Sequence, residues 1–144
     1  MSLILQLHYY RNREDVNAVV QPHAPYTTVF GITDEKSMPV VLNEDAMELG
    51  GPLPVAPYAC PGTKKLAKVT LEATGEAFGV IMAHHGLITI GVNLKAAYGS
   101  TLATEDTART IILARSMGAN VNALDQDEVQ VLRKMFLGYR PQDI

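Results

Sequence analysis

At 144 residues, with 47% hydrophobic and 19% charged side chains, the chain has the size and make-up of one folded domain and is too apolar for disorder. A net charge of −3 without a basic cluster argues against nucleic-acid binding, since Lys64, Lys65 and Lys68 read as the solvated face of a helix. The single cysteine, Cys60, excludes a disulfide framework and fits a reducing, cytoplasmic setting, and neither a signal peptide nor a run long enough to span a membrane is read in the sequence.

In chain order, residues 4–13 read as the end of a helix and residues 17–20 as a strand. Residues 22–33 form a helix opened by Pro22. Residues 39–42 make a short strand, 43–51 an acidic, turn-rich segment, and 53–57 a strand whose prolines suit an edge or an end. Pro61-Gly62-Thr63 starts a helix that runs to about Ala73. Residues 78–83 and 87–90 are two strands that form a hairpin if His84-His85-Gly86 turns the chain. Asn93 caps the clearest helix, in which Leu94, Ala97, Tyr98, Thr101, Leu102, Ala108, Ile111, Ile112 and Arg115 keep three–four spacing up to Gly118. Asp125 caps a last helix to Leu137, with Glu128 three residues on. Strands interspersed with helices make residues 1–144 a single α/β layered domain, its central sheet mixed or mainly antiparallel and flanked by helices.

The chemistry concentrates where strands stop. The apolar run from Ile81 ends at His84-His85-Gly86, and His23 stands at a similar point after Val19-Val20-Gln21-Pro22. Histidines at two strand ends far apart in sequence are a common way to build a metal site; ordinary polar residues closing a buried strand give the same pattern. Neighbours on an extended strand face opposite ways, so at most one of His84 and His85 enters a given site. Cys60, in a loop beside Pro61-Gly62, has no base tied to it by sequence and reads as structural or incidental.

Asp15-Val16-Asn17-Ala18-Val19-Val20, Val55-Ala56-Pro57-Tyr58, Pro61-Gly62-Thr63 and His84-His85-Gly86-Leu87, in this order, resemble the class II aldolase and adducin head domain family, and among its members the sugar-phosphate aldolases of the fuculose-phosphate type. The resemblance implies a zinc-dependent lyase that splits a ketose phosphate into dihydroxyacetone phosphate and an aldehyde. Alternatives on the same scaffold are an epimerase, dehydratase or decarboxylase, or a non-catalytic adducin-like oligomerisation module. In those aldolases a His-x-His pair and the histidine before the His-Gly-Leu glycine hold the zinc. The transfer puts ligands on His23 and His85 and leaves Gln21 at the first position of the pair, a poorer zinc ligand than imidazole. The family's acid–base glutamate falls on Ser2, so the chain reads as lacking the family's N-terminal segment, with activity impaired and zinc weakly held. Tyr58 matches a site tyrosine and Tyr139 a tail tyrosine, both as catalytic phenols. The family's fourfold ring implies a homotetramer acting on a small sugar phosphate, with no nucleic-acid or membrane partner.

Overall fold

The computed structural model describes residues 3–139, the side chain of Tyr139 excepted. The apolar runs at residues 79–82 and 86–91 form β4 (Gly79–Met82) and β5 (Gly86–Gly91), an antiparallel hairpin at the middle of a five-stranded sheet. β1 (Ala18–Val20) adds antiparallel to β5, β3 (Leu53–Ala56) parallel to β4, and β2 (Ser37–Met38) antiparallel to β3, which gives the order β1-β5-β4-β3-β2. Three of the four pairings are antiparallel, so the sheet is mixed and mainly antiparallel.

Both faces of the hairpin are covered, which is why its sequence is apolar but for Thr89, whose hydroxyl donates to the Ala97 carbonyl, rather than alternating. Val80, Met82, Ile88 and Ile90 point into one core with Leu5 and Tyr9 of α1 (Leu3–Asn12) and Leu66 and Ala67 of α4 (Lys64–Thr74). Ile81 and Leu87 point to the other, against Phe30 of α2 (Pro25–Phe30), Leu49 of α3 (Asn43–Leu49) and Ala108 and Ile111 of α5 (Leu94–Ser116). In the first core the buried Tyr9 hydroxyl lies 2.5 Å from Thr74 Oγ1, which donates to the Thr70 carbonyl. α6 (Gln126–Tyr139) packs Val129 on Val40 and Ala46 in a small third cluster. None of the described helices is long and apolar enough to cross a membrane.

The longest helix is capped as its sequence predicts. Asn93 Oδ1 accepts from Ala96 N, Thr63 Oγ1 caps α4 by accepting from Leu66 N, and Asp125 Oδ1 accepts from Asp127 N before α6. Three segments differ from expectation. The helix expected over 22–33 starts only at Pro25, because the residue before a proline is held extended: Ala24 sits at φ −63° and ψ 106°, and Pro22 continues the edge of the sheet. The strand expected at 39–42 lies at Ser37–Met38, where the partner β3 is; Pro39 has no N–H to extend it, and the Val40 carbonyl instead accepts from Leu124 N. The acidic stretch read as turn is α3. Its Asp45 carboxylate accepts from Leu42 N, a local cap that also sets negative charge at the helix start. Asp45 is fully buried, and Thr107 Oγ1 of α5 donates to its other oxygen. Burial pushes the Asp45 carboxyl up to about 6, against the pull of those hydrogen bonds.

Candidate metal centre

Beyond β1 the chain stays extended through Gln21-Pro22-His23, and the Pro22 carbonyl accepts from Leu87 N at 3.4 Å. The β4–β5 turn faces it. Met82 O accepts from His85 N and Gly31 O from His84 N, both at 3.1 Å, so the turn is tied to its own hairpin and to the end of α2. His84 takes a left-handed backbone conformation, with φ 57°. Gly86 has φ +156°, and a Cβ there would lie 3.0 Å from the Pro22 carbonyl oxygen and 3.8 Å from His23 Cα. A residue without a side chain is what lets the two histidine-bearing segments touch.

That contact brings three of the sequence-derived candidates together. The His23 and His85 rings lie with centroids 6.3 Å apart, tilted by 50°. With metal–nitrogen bonds of about 2.0–2.1 Å and a nitrogen roughly 1.2 Å from its ring centre, two imidazoles on one tetrahedral ion have centroids about 5.3 Å apart, so a shared ion would draw these rings together by about 1 Å. Gln21 Nε2 lies 3.4 Å from His85 Nε2, and Gln21 Oε1 is buried without a hydrogen-bond partner. A buried carbonyl oxygen without a partner, on an amide that lies beside His85, is a group a cation would satisfy once the amide turns that oxygen toward the rings. Burial, and then the neighbouring His23, lower the pKa of His85, which favours the neutral ring a metal requires. Among the described residues no three His, Cys, Asp or Glu side chains gather around a common point, so the third donor available here is the Gln21 amide.

The other candidates stand apart. His84 meets the exposed Tyr58 edge-on at 5.9 Å and 84°; both histidines lie in the turn rather than on an extended strand, so the alternation expected of strand neighbours does not apply to them. Tyr58 thus flanks the turn without reaching the two rings through any recorded contact. Cys60 is exposed, and its carbonyl accepts from Thr63 Oγ1. Ser2, and with it the position of the family's carboxylate, lies outside the described residues, as does the side chain of Tyr139.

One residue of this region escaped the sequence reading. Glu105, on α5, accepts from Tyr26 N at 2.8 Å, Thr27 N at 2.9 Å and Thr27 Oγ1 at 2.7 Å, at the start of the helix that follows His23. In sequence it is one more carboxylate on a long helix, 79 residues from Tyr26, and nothing local marks it.

Known proteins resemble this chain in sequence and fold. The family profile described as Class II Aldolase and Adducin N-terminal domain matches residues 3–112. The 5-deoxy-D-ribulose 1-phosphate aldolase of Bacillus thuringiensis serovar kurstaki is 36% identical over 143 residues, which cover 98% of this chain and 65% of that protein. The L-fuculose phosphate aldolase of Escherichia coli strain K12 is 32% identical over 130 residues, 90% of this chain and 60% of that one. A solved L-fuculose 1-phosphate aldolase superposes with a TM-score of 0.88 at 28% identity, over 94% of this chain and 62% of its own. The chain therefore spans less than two thirds of the length of these relatives.

Proposed function

The chain belongs to the class II aldolase and adducin N-terminal domain family, and on that premise we propose that it carries the metal-binding part of an aldolase that splits a ketose phosphate into dihydroxyacetone phosphate and an aldehyde. The observation that carries the reading is the approach of the His23 and His85 rings at the end of the hairpin, with the Gln21 amide beside His85. These three residues would hold a divalent ion, zinc by the chemistry of its imidazoles. Bound there, the ion acts as a Lewis acid for the charge that spreads onto the substrate carbonyl oxygen.

The protein's own groups supply the rest. When the C3–C4 bond breaks, its electron pair stays with C3 and the C4 hydroxyl loses its proton to become the aldehyde. C3 then takes up a proton. Tyr58, exposed beside His84 at the turn, is assigned the C4 oxygen: its ionised phenol would take up the C4 hydroxyl proton as the aldehyde forms. Tyr139 is assigned the same class of role from the tail of the chain. Gln21 sets a limit on the site: a neutral amide oxygen replaces an imidazole, so the ion is held weakly. The departure also supports a second reading, a non-catalytic oligomerising module that keeps the fold without the metal. In either reading we infer a homotetramer, supported by the exposed Leu94, Tyr98 and Leu102 along α5.

Calorimetric titration of zinc into the protein and into Gln21→His separates these readings. The wild type should bind one ion per chain, and Gln21→His should bind it at least tenfold more tightly, about 1.4 kcal/mol. Equal affinities would put Gln21 outside the coordination sphere. No binding by either form would leave the oligomerising module.

A further inference from the structure

We propose that Glu105 is a positioning residue that holds His23 opposite His85 by fixing the start of α2. The argument begins with a helix that cannot stand alone. α2 has six residues, fewer than two turns, and its N-cap, Ala24, offers no side chain to its free N–H groups. Pro25 at the first position has no N–H, and Thr28 N is satisfied by the Ala24 carbonyl. The two donors left over, on Tyr26 and Thr27, are both taken by the Glu105 carboxylate, which also accepts from the Thr27 hydroxyl. The N–H groups of Tyr26, Thr27 and Thr28 are thereby accounted for, two of the three by one side chain.

Its location makes that side chain a long-range anchor. Glu105 projects from the middle of α5, a 23-residue helix packed on the sheet through Ala97, Thr101, Thr104 and Ala108. Its negative charge also faces the positive end of the α2 dipole. His23 stands two positions before Pro25, the first residue of α2, so its direction is set from two sides, by the Pro22 carbonyl bonded to Leu87 N and by the anchored helix start. His23 itself is exposed, and no hydrogen bond to its own atoms is found among the described residues. Without the carboxylate, the exposed Tyr26 N–H turns to water, whereas the part-buried Thr27 N–H loses its partner, and the segment from Pro22 to Thr27 shifts to satisfy it. The ring of His23 moves with it.

The consequence for metal binding rests on the metal-site reading above, whereas the geometric claim does not, and the test separates them. In metal-free protein, ring-proton contacts between His23 and His85 are read by NMR in the wild type, Glu105→Ala, Glu105→Gln and Thr27→Val. Cobalt(II) titration of the same proteins, well below their melting temperatures, reads affinity and the visible absorption of the bound ion. The wild type should show the contact. Glu105→Ala should lose it and bind cobalt at least fivefold more weakly, Glu105→Gln should fall between, and Thr27→Val, which keeps both backbone bonds, should stay within twofold of wild type. If Glu105→Ala does not fold, Glu105→Gln decides. A folded Glu105 variant that melts earlier but keeps the ring contact and the wild-type cobalt affinity makes Glu105 a stabilising residue only and overturns the proposal. A wild type that shows the contact but takes up no cobalt removes the metal reading, and loss of the contact in Glu105→Ala still supports the positioning role.

Discussion

Replacing Gly86 by alanine tests the contact on which the candidate site depends. At φ +156° the backbone is one that side chains rarely adopt, which costs about 1–3 kcal/mol. The new Cβ would sit 3.0 Å from the Pro22 carbonyl oxygen, so that strand must retreat, and the Leu87 N to Pro22 O bond, already 3.4 Å, is lost at about 1 kcal/mol. The total is about 2–4 kcal/mol. Gly62→Ala is the control, because Gly62 also has a positive φ, +80°, but a Cβ there meets nothing within 4 Å. It should cost only the backbone strain, about 1–2 kcal/mol. Urea denaturation of the two variants and the wild type gives the comparison. Gly86→Ala should be the less stable of the two by at least about 1 kcal/mol, with the His23 segment displaced from the hairpin. A Gly86→Ala protein as stable as Gly62→Ala would mean that the two histidine segments are not held together through that glycine.

Two further outcomes concern buried titrating groups. Asp45 is pushed up to about 6 in the fold, against 3.8 unfolded, so the folded state holds its proton more tightly; the stability this brings is present below pH 3.8 and is lost as pH rises through about 6. The wild type should therefore lose about 3 kcal/mol across that window relative to Asp45→Asn, measured as the difference between their urea midpoints at each pH; a flat difference would show the carboxyl to be solvated. Tyr9→Phe removes the hydroxyl that meets Thr74 and should cost about 1 kcal/mol near neutral pH. Burial pushes the Tyr9 phenol up to about 12, so the wild type should also lose stability as pH rises from 10 through 12 while Tyr9→Phe does not share that loss, as thermal melts across the range would show.

What the sequence made legible was whatever is decided within a few residues. Asn93 caps α5, Thr63 caps α4 and the His84-His85-Gly86 turn closes the hairpin, and each of these signals is written beside the element it controls. Elements fixed by remote partners were not legible. α3 has few apolar residues and an acidic start; part of what holds it is α6, whose Arg133 side chain donates to the Met47 and Glu48 carbonyls and whose Gln130 donates to Gly50 O. β2 is two residues long, and its place is set by β3 rather than by its own pattern. The candidate site divides the same way. His23 and His85 stand out because each follows an apolar strand, whereas Gln21 gained its meaning only from a family resemblance. Glu105 acts through a contact that no spacing rule reaches.

The two sides of the candidate site sit at unequal depths in the sheet. His85 belongs to the turn of the central hairpin, whose strands are paired on both sides and buried on both faces, whereas His23 extends from β1, which among the described residues is bonded only to β5. Amide hydrogens of β4 and β5 should thus exchange only when the whole domain opens, and those of the β1 edge and its extension through smaller, cheaper fluctuations. A bridging ion or substrate would then act as a clasp, lending the protection of the sheet's centre to its margin. Release would need no more than a brief loosening of that margin.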